Sequence, residues 1–262
     1  MLFRSNRAAD HRLRLLFPTG AAAVETARAD TAFDVITRPA RIPVPDTIRN
    51  ESPVSSMPLI SMVDAGNADT GATVLGRGLM EYEITEGEPA IAMTLIRAVG
   101  DLSRNDLATR PSGHAGPPVA TPAAQCLGLQ RFMLAFEPHG PAPLAGELMA
   151  SARAHNIPPR VTTARKPGGS GPLTRSFLRI DRRAGDVVLS ALKQAEDRSS
   201  VIVRVFNPGD EDASIVLSTG APIAQAFAVD FLEERQTALE IETGGVALGL
   251  TPKQIRTIEL VS

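Results

Sequence analysis

The chain has 262 residues, a formal net charge of −2 and 21% charged residues, enough for one large β domain or two ordinary ones. Charge so evenly balanced gives neither the basic field that attracts nucleic acid nor an acidic tail. No apolar run approaches the roughly 20 residues of a bilayer-spanning helix, and MLFRSNRAADHRLRL lacks the apolar core of a secretory signal, so a cytoplasmic location is expected.

In chain order, Arg12 to Phe17 alternates charge with Leu13, Leu15 and Phe17, the pattern of a half-buried strand, and Pro18-Thr19-Gly20 ends it. Val24 to Ala29 and Ala32 to Thr37 are the next strands. Residues 38 to 58 carry five prolines and read as a crossing loop. Ile60 to Val63 and Ala72 to Leu75 flank a turn-rich stretch. Glu81 and Glu83 then alternate with Tyr82 and Ile84 as an exposed strand, and Ala90 to Val99 is apolar on both faces as a buried one. From Asp106 to Pro122 the periodicity stops. Four prolines, two glycines and the polar trio Asp106, Arg110 and His114 make a long loop between core strands, a feature that marks function or an interface.

Gln125 to Glu137 reads as a strand and Pro143 to Asn156 as the one helix, with Leu144, Leu148 and Ala152 at four-residue spacing and Pro158-Pro159 as its stop. RKPGGSGP, residues 165–172, marks a boundary. Beyond it lie strands at Val201 to Phe206, Ala213 to Leu217, Ile223 to Phe231, Leu239 to Thr243 and Ile255 to Val261, separated by Asn-Pro-Gly and Thr-Gly-Ala-Pro turns, which suits a small antiparallel sandwich.

Chemistry-bearing residues are sparse. The four histidines, His11, His114, His139 and His155, stand far apart. Asp10-His11 reads as a solvated pair, His139 as an exposed turn residue, and His155 as a helix-end imidazole favoured by the macrodipole. Glu81 and Glu83 share a strand face, the spacing of an acid–base pair, but read as a solvated edge. The single Cys126 excludes an internal disulfide and a cysteine metal cluster, and beside Ala124, Leu127 and Leu129 it reads as a buried, space-filling thiol. With 4% aromatic residues, no tryptophan and only Tyr82, the chain lacks the stacking platforms of an autonomous sugar-binding module.

The segments GLMEYEI, MTLIRAVGDLSRNDLATRPSGHAGP and TPAAQC, with NRAADHRLRLLFPTG before them and VIVRVFNPGDEDASIVL after, resemble the carboxy-terminal β-sandwich region of bacterial glycoside hydrolase family 38, the α-mannosidases. The resemblance covers about residues 6 to 262 and implies an all-β fold. A large β-sandwich (a supersandwich of the galactose-mutarotase type, residues 6–160) is followed by a linker at 161–172 and a small antiparallel β-sandwich at 173–262, with one short helix between. Met1 to Ser5 stand outside the pattern, so Met1 is expected not to be the natural start and the large sandwich to be amino-terminally truncated.

The resemblance also implies a retaining mannosidase whose aspartate nucleophile and zinc ion sit on a catalytic α/β domain outside this chain. That mechanism needs two carboxylates about 5 Å apart around the scissile bond. No family catalytic motif can be placed here, so no catalytic residue, metal or cofactor is expected in this chain. The expected partners are its own catalytic domain and an α-mannoside, with oligomerisation open. Arg110, His114 and Asp106 are the candidates for a cleft or domain-interface role, since a guanidinium fork can hydrogen-bond sugar hydroxyls. The alternative is a free-standing carbohydrate-binding or structural sandwich that partners a separate catalytic chain.

Overall fold

The computed structural model describes residues 2–48, 50–163, 172, 174–242 and 245–262. The boundary stretch RKPGGSGP falls outside the described residues except at Pro172, as does Thr243. Two compact units emerge: residues 1–31, 35–143 and 151–156 form the first, and residues 32–34, 144–150 and 157–262 form the second.

The strands preceding the long loop are β1 (Leu2–Asn6), β2 (Arg12–Pro18), β3 (Thr26–Thr31), β4 (Asp34–Pro39), β5 (Met57–Pro58), β6 (Met62–Gly66), β7 (Gly71–Gly76), β8 (Glu81–Ile84) and β9 (Ala90–Arg97). After it come β10 (Gly128–Arg131), β11 (Leu134–His139) and the helix α1 (Ala145–Asn156). The sheets run β11-β7-β6-β3-β4 and β2-β9-β8-β5, with β1 and β10 as a separate antiparallel ribbon. Alternation does the sorting. On β8 Tyr82 and Ile84 turn inward while Glu81 and Glu83 turn out, and one core holds Val63, Val74, Ile91 and Met93 from both sheets. Burying each such side chain contributes about 1.5–3 kcal/mol. The crossing loop is anchored by Asp30, whose buried carboxylate accepts the amides of Ile60, Ser61 and Met62 at 2.9–3.1 Å.

The second unit contains β12 (Leu178–Ala184), β13 (Val188–Gln194), β14 (Val201–Phe206), β15 (Ala213–Thr219), β16 (Gln225–Val229), β17 (Arg235–Leu239), β18 (Ile241–Glu242), β19 (Gly245–Leu250) and β20 (Ile255–Val261). They form the sheets β12-β15-β19-β18 and β13-β14-β20-β16-β17. Val203, Ile215, Leu217, Leu248 and Ile258 fill the core from both. On the other face of β20, Glu259 is fully buried beneath arginines. Arg235 Nε and Nη2 reach it at 2.7 and 2.9 Å, Arg198 Nε at 3.0 Å and Ser200 Oγ at 2.5 Å. Arg235 is itself laid over the Phe227 ring at 4.1 Å.

The all-β expectation holds, with antiparallel sheets and a single α-helix among the described residues. Most strand bounds shift by a few residues, and three differences go further. The helix begins at Ala145, where Glu147 Oε2 accepts the Leu144 amide and ends the preceding turn. The stretch from Gln125 to Glu137 is two strands broken at Phe132-Met133, because Phe132 leaves the ladder to enter the core. The strand expected from Leu239 to Thr243 lies earlier, as β17, and is followed by the two-residue β18.

Candidate functional site

The loop that follows β9 is closed at its base like a hairpin. Leu102 N donates to Val119 O at 2.8 Å, Thr121 N to Gly100 O at 2.7 Å, and Asp101 bridges Ala120. A short 3-10 helix, Pro122–Gln125, ends it. Asn6 Nδ2 donates to the carbonyls of Gln125 and Cys126, and Gln125 exchanges side-chain hydrogen bonds with Asp10, receiving the Asp10 amide and donating to its carboxylate. Within the loop, buried Ser103 Oγ accepts the amides of Ala115 and Gly116 at 2.9 and 3.1 Å. The loop is therefore a built object held by side chains, with Gly113 supplying a left-handed φ of +92° at its tip.

The three residues singled out in sequence occupy this loop in different ways. Asp106 is held by both Arg104 Nε (2.8 Å) and Nη2 (2.6 Å). The Arg104 hydrogen bonds lower its carboxyl below the usual range, and the His114 charge adds a smaller push in the same direction. Arg110 points back into the protein, its side chain 23% exposed, with Nη1 2.6 Å from Glu51 Oε2 and Nε donating to Gly113 O. Beside it Ser112 Oγ donates to Asn50 O, and Ser52 N donates to Thr109 O. His114 lies exposed on the outer surface. Among the described residues the three share no hydrogen bond with one another; their connection is the common loop. Glu51 was invisible to sequence reasoning, since it sits in the proline-rich crossing loop far from Arg110 in the chain.

A second polar constellation lies on the five-stranded sheet. The register sets Arg28 opposite Asp64 and Asp64 opposite Thr73. The buried Asp64 carboxylate accepts from Arg28 Nε and Nη2 at 3.0 and 2.6 Å, Thr73 Oγ1 at 2.8 Å and His139 Nε2 at 2.7 Å. Gly71 makes room for the imidazole, because a Cβ there would lie 2.7 Å from His139 Cε1. Asp64, Arg28 and His139 line a cavity of about 600 Å³. With four donors on two oxygens, Asp64 has no lone pair left for a substrate proton, so the cluster ties strands together rather than acting as a base. His139 is thus a largely buried strand residue and not the exposed turn histidine expected, because its strand continues to residue 139 and carries the ring toward Asp64.

Residues 186–258 match the glycosyl hydrolases family 38 C-terminal beta sandwich domain. Over 97% of its length the chain is 31% identical to a protein of Halalkalibacterium halodurans that carries the name mannosylglycerate hydrolase, and it spans 26% of that protein. It is similar to the structure of an alpha-mannosidase from Enterococcus faecalis V583, with a TM-score of 0.71 and 32% identity over 98% of this chain and 26% of the other. A second Enterococcus faecalis structure, of a protein in glycosyl hydrolase family 38, gives a TM-score of 0.71 and 31% identity over 98% of this chain and 27% of its own. The chain is thus similar, along nearly its whole length, to a carboxy-terminal β-sandwich segment of glycosyl hydrolase family 38. It spans about a quarter of the length of these relatives.

Among the described residues no three His, Cys, Asp or Glu side chains gather where they could hold a metal ion. Glu81 and Glu83 are no acid–base pair, and the solvated edge expected for them is also corrected. Strand β8 lies inside its sheet, where Glu81 takes Arg12 at 2.9 Å and Thr94 Oγ1 at 2.7 Å, and Glu83 takes Arg14 at 2.8 Å. Asp10 and His11 are not a freely solvated pair either: Asp10 is bound to Gln125, and His11 Nδ1 is buried without a hydrogen-bond partner among the described residues. Cys126 is exposed rather than buried, because the 3-10 helix ends on it in a left-handed conformation (φ 50°) that turns its side chain out. Among the described residues, no helix is long and apolar enough to cross a membrane.

Proposed function

We propose that the chain is the non-catalytic β-sandwich part of a retaining α-mannoside hydrolase, whose aspartate nucleophile and zinc are supplied by the part of the polypeptide it does not span. The carrying observation is its likeness, along 98% of its own length, to one quarter of an alpha-mannosidase. The H. halodurans relative's name suggests a mannoside with an acidic aglycone as substrate, and α-mannosides of glycans are the other class. The proposed domains are residues 6–160 and 173–262, joined by 161–172; the family match at 186–258 falls wholly within the second. An exposed, unpaired cysteine suits a cytoplasmic location.

In this reading the loop after β9 leans over the sugar cleft of the catalytic part. Glu51 and Gly113 O fix Arg110 Nη1 and Nε, which leaves Nη2 as the donor for a substrate oxygen, and His114 borders the same cleft. The test is hydrolysis of an aryl α-mannoside and of mannosylglycerate, with zinc, by this chain and by the longer polypeptide that contains it. Activity is expected only in the longer form, and activity of the short chain alone overturns the proposal. If the short chain acquires activity on mixing with a separately encoded catalytic chain, the subunit alternative holds instead. In the longer form, Arg110→Ala and His114→Ala are expected to raise KM or lower kcat by about tenfold, the value of one charged hydrogen bond. Unchanged kinetics in both would remove the loop from the cleft.

A further inference from the structure

Strands β2 and β11 each end their sheet. Phe17 of β2 and Phe136 of β11 stack with ring centroids 5.5 Å apart and 24° between planes, so the two end strands lie on one side of the first unit's sandwich. Among the described residues, no further strand covers that side. Leu13, Leu15 and Phe17 pack on the core yet are only half-buried, while Phe136 is 42% and Leu16 53% exposed.

The backbone of β2 is unfinished in the same direction. Thr19 N donates to Pro89 O and Ala98 N to His11 O, and the register pairs Leu13 with Ile96, Leu15 with Met93 and Phe17 with Ile91. Antiparallel alternation then turns the peptide groups of Leu13, Leu15 and Phe17 toward β9 and those of Arg14 and Leu16 outward, where no strand among the described residues meets them. The usual guards of an edge are weak on this stretch, where the ladder to β9 shifts register once, between Leu13 and Arg14. Arg12 and Arg14 are spent on Glu81 and Glu83, and Pro18 stands only at the strand's end.

We propose that this open side is an acceptor for at least one further β-strand, contributed by the portion of the family 38 polypeptide that this chain does not span, and that the strand pairs with β2 through Arg14 and Leu16. The occupant is argued from length: nearly all of this chain aligns with relatives of which it covers only 26–27%. A half-covered apolar rim beside unpaired amides requires an extended, apolar-alternating segment, which completes the ladder and the core together. The identity of the occupant rests on the family 38 reading. It does not rest on the enzymatic activity proposed above.

Residue-resolved hydrogen exchange tests it, on this chain alone and on the longer polypeptide. The Arg14 and Leu16 amides are expected to exchange at least about tenfold more slowly in the longer form, as ladder amides do when an edge is covered. Equal rates in both forms overturn the proposal, even if the longer form hydrolyses mannosides; slowed exchange without hydrolysis leaves it standing while the enzymatic reading fails. If the short chain is dimeric and its protection tracks dimerisation, a second copy is the occupant and the proposal is wrong. Leu16→Pro, which removes one outward donor and no bond to β9, is expected to lower the melting temperature of the longer form and leave that of the short chain nearly unchanged. An equal effect on both forms also counts against it.

Discussion

Glu259 offers a stability test confined to the second unit. Its carboxylate is fully buried and ion-paired to Arg235 and Arg198, and the Arg235 hydrogen bonds, more than any other contact, hold its pKa at about 2 against an ordinary 4.5. That difference corresponds to at most ~3 kcal/mol of folding free energy, and nearer ~2 kcal/mol once the water-facing guanidinium partners are screened. A lowered carboxyl pKa stabilises the fold above the unfolded-state value. The contribution is therefore full above about pH 5 and fades as the pH drops through 4.5 toward 2. Glu259→Gln leaves Arg235 and Arg198 without their anion, so the variant should be ~2 kcal/mol less stable at pH 7 and lack this stretch of acid sensitivity. Since the chain's sole tyrosine is Tyr82 and it has no tryptophan, fluorescence does not report on this unit. Hydrogen exchange at β14 and β20 amides, followed from pH 6 to 2.5, does. Parallel stability–pH curves for the two proteins in that window would refute the assignment.

Asp64→Ala removes the common acceptor of Arg28, Thr73 and His139; it should cost the first unit about 2–4 kcal/mol, read as a lower urea midpoint, with a loss below 1 kcal/mol showing the cluster to be dispensable. Cys126 should react with a thiol reagent in the folded protein, one equivalent per chain without denaturant, whereas a thiol that reacts only on unfolding would contradict its outward turn.

Strand periodicity was the most legible layer of the sequence. Leu13, Leu15 and Phe17, or Ile258 and Leu260, declare their shared face because a strand puts alternate residues on one side regardless of what lies beyond. Pairings over long separations left no such mark. Asp64 sits within an apolar run, and its need for Arg28 and His139 follows from sheet register, which a period-two pattern does not encode. His139 and Cys126 were misplaced for related reasons: composition suggested a turn for one and a core for the other, but strand length and a left-handed residue decided each orientation. The loop's importance was legible from its length and lost periodicity. Its internal wiring, with Arg110 on Glu51 and Asp106 on Arg104, was not, because no periodic relation links those partners.

The anchoring of the loop base by Asn6 and Asp10 also sets a schedule. Asn6 reaches the Gln125 carbonyl across 119 positions, and Asp10 reaches the Gln125 side chain across 115. A ribosome must therefore release almost half of this chain before the loop can take its shape, and the ring closure that joins those ends costs entropy before it returns any contact. The loop base can close only once residue 125 has been made. Those anchors hold the loop although Leu102, Leu107 and Val119 within it stay exposed to water. A chain cut short before residue 125 would therefore lack the loop's anchors, however well its first strands had formed.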